Sequence, residues 1–257
     1  AGMLNDGCTI SIADCVISGC SGLGNVMGGG MTNLESVVTL ENCTFANNGA
    51  SQAGGGGLYN LDSVVSISQC KFDANSSYGH GRGLAIYSTN SSVSIWSSSF
   101  SDHEGLSFGG VLFSFQGSLD ITGSTFTSNV SRSGTIPWPE GHFTDGGDGA
   151  IRTDDCLLTV KRCFFHENAA GETGSYGGAL GGAIGVGSTG VPVSVDISQS
   201  IFVGNSAARG GAVGVEGPVD LQATNCLFFR NEASDMGAAV YQDSDSWPTS
   251  FTLTNCT

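Results

Sequence analysis

The residues best suited to chemistry in this chain of 257 residues are one carboxylate cluster and four scattered histidines. Asp145, Asp148, Asp154 and Asp155 form the only dense acidic group, with Arg152 among them. Four carboxylates beside a glycine-rich turn offer the oxygen ligands that calcium takes. A pair of carboxylates also suits general acid and base work, provided both reach the scissile bond; inverting pairs stand about 6.5–9.5 Å apart. His80, His103, His142 and His166 lie far apart without a matched partner, and no Gly-x-Ser-x-Gly is present. A serine nucleophile is therefore not indicated. No Cys-x-x-Cys spacing occurs, so zinc is not expected, and no other cofactor is implied.

Two fragments point toward polysaccharide chemistry. Gly79-His80-Gly81 resembles the histidine motif of polygalacturonases, and Thr153-Asp154-Asp155 resembles their paired aspartates. In that family the aspartates come about one coil before the histidine. Here Asp154 follows His80 by 74 residues, which is more than two turns of the repeat described next. The two fragments cannot share a site in a regular stack. A pectate-lyase arrangement needs calcium-binding carboxylates and a basic residue on neighbouring turns. Gly146-Gly147-Asp148-Gly149 resembles the β-roll calcium repeat, but Ile151 stands where that repeat needs Asp, and the motif does not recur. A solvated acidic loop is the simpler expectation for this cluster, with calcium near Asp145–Asp155 left open.

What must position any of these groups is an internal repeat. Val38 to Asn48 reads Val-Thr-Leu-Glu-Asn-Cys-Thr-Phe-Ala-Asn-Asn and returns at Val65 to Asn75, Val195 to Asn205 and Leu221 to Asn231. Its Phe position is filled by Ile17, Phe45, Phe72, Phe100, Phe126, Phe165, Phe202 and Phe228, at steps of 28, 27, 28, 26, 39, 37 and 26 residues. A glycine signature precedes the copies, as in Gly29-Gly30-Met31, Gly56-Gly57-Leu58, Gly109-Gly110-Val111, Gly181-Gly182-Ala183-Ile184 and Gly210-Gly211-Ala212-Val213. Alternation over four to six residues means strand, and no stretch carries a helical period. Short strands at a period near 27 suit a parallel solenoid, in which equivalent residues stack coil on coil. Val38, Leu40, Cys43 and Phe45 then point inward.

The Asn after each Phe has a physical task. An inward turn buries backbone groups that must be paired, and an amide side chain both donates and accepts. At a spacing of about 4.8 Å, one coil's amide reaches the next. Asn48, Asn75, Asn129, Asn168, Asn205 and Asn231 should form this ladder, with Cys20 and His103 as exceptions.

The pairing of Gly-Gly-Ala-[Ile/Leu/Val] with Phe-x-x-Asn resembles the tandem repeats of chlamydial polymorphic membrane proteins. Gly210-Gly211-Ala212-Val213 and Phe202-Val203-Gly204-Asn205 match residue for residue, and the resemblance covers nearly the whole chain. It implies a right-handed parallel β-helix and a cell-surface adhesin. Nothing in the chain resembles that family's membrane barrel. The expected fold is thus all-β: one single-stranded, right-handed parallel β-helix of about eight coils over residues 1–257. The expected role is non-enzymatic, a rigid structural or adhesive module of a cell-surface protein or extracellular filament. A polysaccharide-active enzyme, pectate-lyase or polygalacturonase-like, is the alternative.

Composition narrows the partners. The formal net charge is −15 with two lysines, so a phosphate backbone or an anionic membrane would be repelled. No apolar run approaches 18 residues, so no membrane insertion is expected. Partners should be protein or glycan at a cell surface, or copies of the chain itself in a filament. Neither end shows the polar cap of a finished solenoid, so the chain is expected to be a segment of a longer protein or a stacking subunit.

Nine cysteines suit an oxidising compartment. Cys15, Cys43 and Cys70 share one ladder position, as do Cys226 and Cys256, at a Cα spacing that disulfides tolerate. Ser98, Ser124 and Ser200 at the same position argue instead for small buried thiols, and both readings stand. Cys8 and Cys156 each precede a ladder cysteine by seven residues, a spacing that suggests a local pair. Residues 130–148 read as a long loop with Trp138 and His142, and residues 169–180 as a second insertion with Tyr176. Both should leave the same corner of neighbouring coils. Trp138, His142 and Tyr176 are the candidate contact surface. Of the Asn-x-Ser/Thr sequons, Asn42, Asn90 and Asn255 sit at outward turns and are glycosylation candidates, whereas Asn75 and Asn129 are ladder positions.

Overall fold

A computed structural model describes the chain except residues 23–26, 52–53, 79–81, 108, 133–135, 139–140, 144–146, 172–178 and 244–249. His80, Asp145 and Tyr176 lie outside the described residues. The chain is a right-handed parallel β-helix of about eight coils without helices among the described residues. Each coil contributes to three walls. The first wall is a 15-stranded sheet whose strands bend once. Its entering leg runs, for example, as Met31–Leu34 and Leu58–Leu61, and its leaving leg as Val37–Glu41 and Val64–Ser68. In three central coils the two legs fuse into strands of eleven residues, Ile86–Trp96, Leu112–Thr122 and Ile151–Lys161.

The second wall is an eight-stranded sheet of three-residue strands, from Val16–Ser18 to Leu227–Phe229, with Ile17 at the first centre and the repeat's Phe at the other seven. The third wall holds two strands, Gly49–Ser51 and Ser76–Tyr78, and then five from Glu104–Leu106 to Glu232–Met236. All wall pairings are parallel. The register sets Phe45, Phe72, Phe100, Phe126, Phe165, Phe202 and Phe228 in one column.

The column is the core. The first six of these Phe side chains have no exposure, and Phe228, on the edge strand of the sheet, is partly buried. Neighbouring rings lie 4.8 to 5.0 Å apart and within 8° of parallel. Aromatic pairs often choose an edge-to-face arrangement; here the strand spacing leaves room only for parallel stacking.

The corners between walls are made by single residues in the left-handed region. Asn42, Gln69, Ser97, Arg162, Gln199, Asn225 and Asn255 turn the chain into the second wall, and Asn47, Ala74, Asp102, Ser128, Glu167 and Arg230 turn it out, all with φ between 47° and 57°. The register refines the glycine signature. Gly29, Gly56, Gly182 and Gly211 share one stack level, so the early Gly-Gly pairs sit one residue later than the Gly-Gly of the last coils. A Cβ at any of these four would meet a backbone carbonyl oxygen of the next coil at 2.3 or 2.4 Å. Close coil approach, not positive φ, favours glycine at these four positions, although Leu84 and Ala238 stand at the same level in other coils.

Candidate functional site

The ladder asparagines make three kinds of bond at once. Asn48 Nδ2 donates to Asn75 Oδ1 at 3.0 Å, Asn129 to Asn168 at 2.8 Å, Asn168 to Asn205 at 2.9 Å and Asn205 to Asn231 at 3.0 Å. The same Nδ2 groups also donate to the carbonyl of the Phe-position residue one coil back, from Asn48 to Ile17 through to Asn231 to Phe202. Each Oδ1 accepts the backbone N–H of the preceding coil's ladder residue, as Asn75 does from Asn48. Five of the six amides are fully buried, and Asn231 is partly so.

His103 fills the gap in this ladder. Asn75 Nδ2 lies 3.3 Å from its Nε2, and its Nδ1 lies 2.9 Å from Asn129 Oδ1. Asn75 spends its Oδ1 on Asn48, so its amide must donate to Nε2. The ring is then neutral and carries its proton on Nδ1. Burial lowers its pKa to about 4, although the Asn129 bond and Asp73 pull it up.

Sequence reading missed a second ladder inside the first wall. Asn5 Nδ2 donates to Asn33 at 2.7 Å, Asn33 to Asn60 at 2.7 Å and Asn60 to Ser88 Oγ at 3.0 Å. Its signal was present as Asn at steps of 28 and 27, but it ends after three copies. A third row runs through the bend of the first wall. The backbone N–H of Cys8, Ser36 and Ser63 donates in turn to the hydroxyls of Ser36, Ser63 and Ser91.

All nine cysteines stand as free thiols in this structure, with no disulfide between coils. Ser98 and Ser200 donate to the carbonyl two residues back, and each accepts an N–H from the coil before. Cys43, Cys70 and Cys163 point the same way, donating to the carbonyls of Glu41, Ser68 and Lys161. Cys8 and Cys156 form no local pair either. They stack at the bend level of Ser36, Ser63 and Ser91, a five-residue strand away from the ladder cysteines. Burial pushes the Cys70, Cys156 and Cys163 thiols up to about 11.

The acidic cluster is split by the fold. Asp148 occupies the stack level of Gly181 and Gly210 and is 3% exposed. Arg152 reaches Asp148 at 3.4 Å and Asp154 at 2.7 Å, lying over the bare backbone of Gly187. Burial raises the Asp148 carboxyl above the usual range, and Arg152 opposes it. Asp155 faces elsewhere, accepting from Thr189 N and Oγ1 at 2.8 and 2.7 Å and from Ser188 at 3.1 Å. Among the described residues, which leave out Asp145, the donor set does not fit a calcium cage, because Arg152 holds two of the carboxylates and Thr189 the third. A similar cluster sits further along the axis, where Arg209 lies 3.7 Å from Glu216 and 3.9 Å from Asp243. Thr153-Asp154-Asp155 lies within the long strand Ile151–Lys161. Its two carboxylates therefore serve separate neighbours instead of one scissile bond.

The loop expected at 130–148 is part strand. Val130–Arg132 pairs with Glu104–Leu106 in the third wall, and Ile136–Trp138 pairs antiparallel with Gly141–Phe143. Trp138 and His142 are thus on a hairpin. Val130–Ser131 pairs with Ala169–Ala170, so the two insertions leave neighbouring coils at the same edge. Asn42, Asn90 and Asn255 are exposed, each at a left-handed corner, whereas Asn75 and Asn129 are fully buried. No helix among the described residues is long and apolar enough to cross a membrane.

No curated protein and no solved structure matches the chain. The model of the right handed beta helix region family matches residues 2–138. That stretch is more than half of the chain and carries the Asn and Phe columns from their start, so the chain belongs to the right-handed β-helix family.

Proposed function

We propose that the chain is a non-enzymatic, rigid structural or adhesive module of a cell-surface protein or extracellular filament. One observation carries this reading: among the described residues, the acidic cluster and His103 are turned on neighbouring side chains of the wall. Arg152 takes Asp148 and Asp154, Asp155 takes Thr189, and His103 is sealed in the ladder. Three hydrogen-bonded rows and a continuous aromatic column make a rod whose coils support each other at every level. The paired Gly-Gly-Ala-[Ile/Leu/Val] and Phe-x-x-Asn signatures support the chlamydial repeat likeness and, with it, an adhesive role. The contacts would be made by the insertions that carry Trp138, His142 and Tyr176, with protein or glycan as partner and a location outside the cell.

The rival is a polysaccharide-active enzyme, since the family has enzymes and non-enzymes alike. Incubation with acidic polysaccharides, with and without calcium, tests it by absorbance at 235 nm and by reducing ends. The expected result is no product in either assay. Turnover that disappears in Asp148→Asn or Asp154→Asn would overturn the proposal.

A further inference from the structure

The outer face of the second wall changes character along the axis. Its two outward rows begin with Val16 beside Ser18, Val16 being 70% exposed, and then hold Thr44, Lys71, Ser99 and Thr125 beside Ala46, Asp73, Ser101 and Thr127. In the last three coils they become Phe164, Ile201 and Leu227 beside His166, Val203 and Phe229. Phe164 is 37% exposed, Ile201 40%, Leu227 37% and Phe229 49%. The Phe164 ring stacks on His166 at 5.6 Å, and Arg230 lies over Phe229 at 5.0 Å. The interior does not require these residues, because the inward Phe165, Phe202 and Phe228 already fill the column. Adjacent apolar side chains on a flat outer face mark an interaction surface.

We propose that this wall pairs side by side with the same wall of a second copy of the chain, about a two-fold axis parallel to the solenoid. Such an axis sets one outward row against the other at the same level. Ile201 then faces Val203 of the second copy, Leu227 faces its Phe229, and Phe164 faces its His166. The charges on the wall follow the same rule. Lys71 faces Asp73 of the second copy, and the exposed corner residue Arg162 faces its Glu167. No level opposes two like charges. Strands of the two copies run antiparallel, as in aligned sheet packing at about 10 Å. An isologous contact needs this self-complementarity. An axis across the solenoid would match the three apolar coils alone and leave the polar ones unpaired.

The wall is about 10 Å wide and about 38 Å long at strand spacing, so each copy contributes less than the roughly 800 Å² of a standard interface. A net charge of −15 also opposes association at low salt. The dimer is therefore concentration-dependent and best observed at about 0.15 M salt, where the screening length is about 8 Å. The pairing is lateral and does not depend on the role proposed above.

Sedimentation velocity of the chain of 257 residues from about 10 μM to about 1 mM tests it, with circular dichroism as the fold control. The expected result is a monomer–dimer equilibrium that Ile201→Lys combined with Phe229→Ser abolishes, both positions being exposed. Arg162→Glu weakens the dimer, and Arg162→Glu with Glu167→Arg restores it. In an antiparallel pair Glu167 would meet Arg230, so the double reversal would set two arginines together and fail. A monomer across the whole range, a dimer that survives the Ile201/Phe229 variant, or a double reversal that fails to restore it overturns the proposal.

Discussion

Acidification should destabilise this β-helix through His103, and replacing it by Asn should remove that sensitivity. The ring is held neutral, with a pKa of about 4 in place of 6.5. A group whose folded pKa is lowered in this direction contributes fully above pH 6.5 and loses its contribution as pH falls toward 4. At 1.36 kcal/mol per pH unit, the loss is roughly 3 kcal/mol by pH 4. The structural cause is specific. Protonation would add a donor at Nε2, facing a donor on Asn75 at 3.3 Å, where the ring has no exposure to water. His103→Asn restores the column's usual residue. The ring's single proton is spent on Asn129, whereas an amide would also reach the Phe72 carbonyl, as Asn129 reaches that of Phe100. That added bond is worth about 1 kcal/mol and offsets the lost ring packing. At pH 7 the variant should therefore lie within about 1 kcal/mol of the parent.

Urea unfolding by circular dichroism at pH 7, 5.5 and 4 reads the effect as a difference between variant and parent. The other titrating groups, Asp73 beside the ring among them, are common to both and largely cancel. The difference should be flat above pH 6.5 and widen to roughly 3 kcal/mol in the variant's favour at pH 4. Parallel stability curves would refute the reasoning, as would an imidazole signal for His103 that titrates near 6.5 in the folded protein.

Phe126→Ala should cost about 3–5 kcal/mol in the same unfolding assay, because it removes a fully buried ring from the column; a cost below about 1 kcal/mol would mean that the column collapses without strain. Arg152→Ala strands Asp148, whose side chain is 4% exposed, and should cost about 3–5 kcal/mol, part of which Arg152→Ala with Asp148→Ala recovers. Gln199→Gly relieves a φ of 52° at an exposed corner and should raise stability by up to about 1 kcal/mol; a drop would show that the side chain supports the corner. Expressed through a eukaryotic secretory pathway, the chain should carry sugar on Asn42, Asn90 and Asn255 and none on Asn75 or Asn129, as read by peptide mass mapping.

The interior was readable because a solenoid repeats its constraints. Phe100 and Asn129 are placed by the same physics as Phe72 and Asn75, so a spacing near 27 gave both the column and the ladder. Where the repeat is short or broken, reading stopped early. The row Asn5–Asn33–Asn60 has three members before Ser88 replaces it, too few to separate from chance in a chain rich in Asn. The glycine pairs misled by one residue, since only the strand register tells Gly29 from Gly30. Cα spacing admitted disulfides, and the serines of the same row admitted thiols; the structure holds thiols that bond the carbonyl two residues back as the serines do. Asp148 looked like part of an open acidic loop. It instead fills a glycine level, where Arg152 and the backbone N–H of Leu180 make its burial tolerable.

A stack of this kind separates its two surfaces. Every inward position answers to the coil above and the coil below, so Phe, Asn and Cys or Ser recur with little freedom. Outward positions face water and are tied to the next coil only in places, as Asn42 is to Asp14 and Ser101 to Asp73. Most hold Ser, Thr or single charges, which keep a parallel sheet soluble. Phe164, Ile201, Leu227 and Phe229 depart from that rule on three consecutive coils, on the wall whose opposite face is the best-filled part of the core. Scattered apolar residues outside a protein need no explanation, but adjacent ones in register across strands do. The inside of this wall is complete without them, so the reason for them has to lie outside the chain.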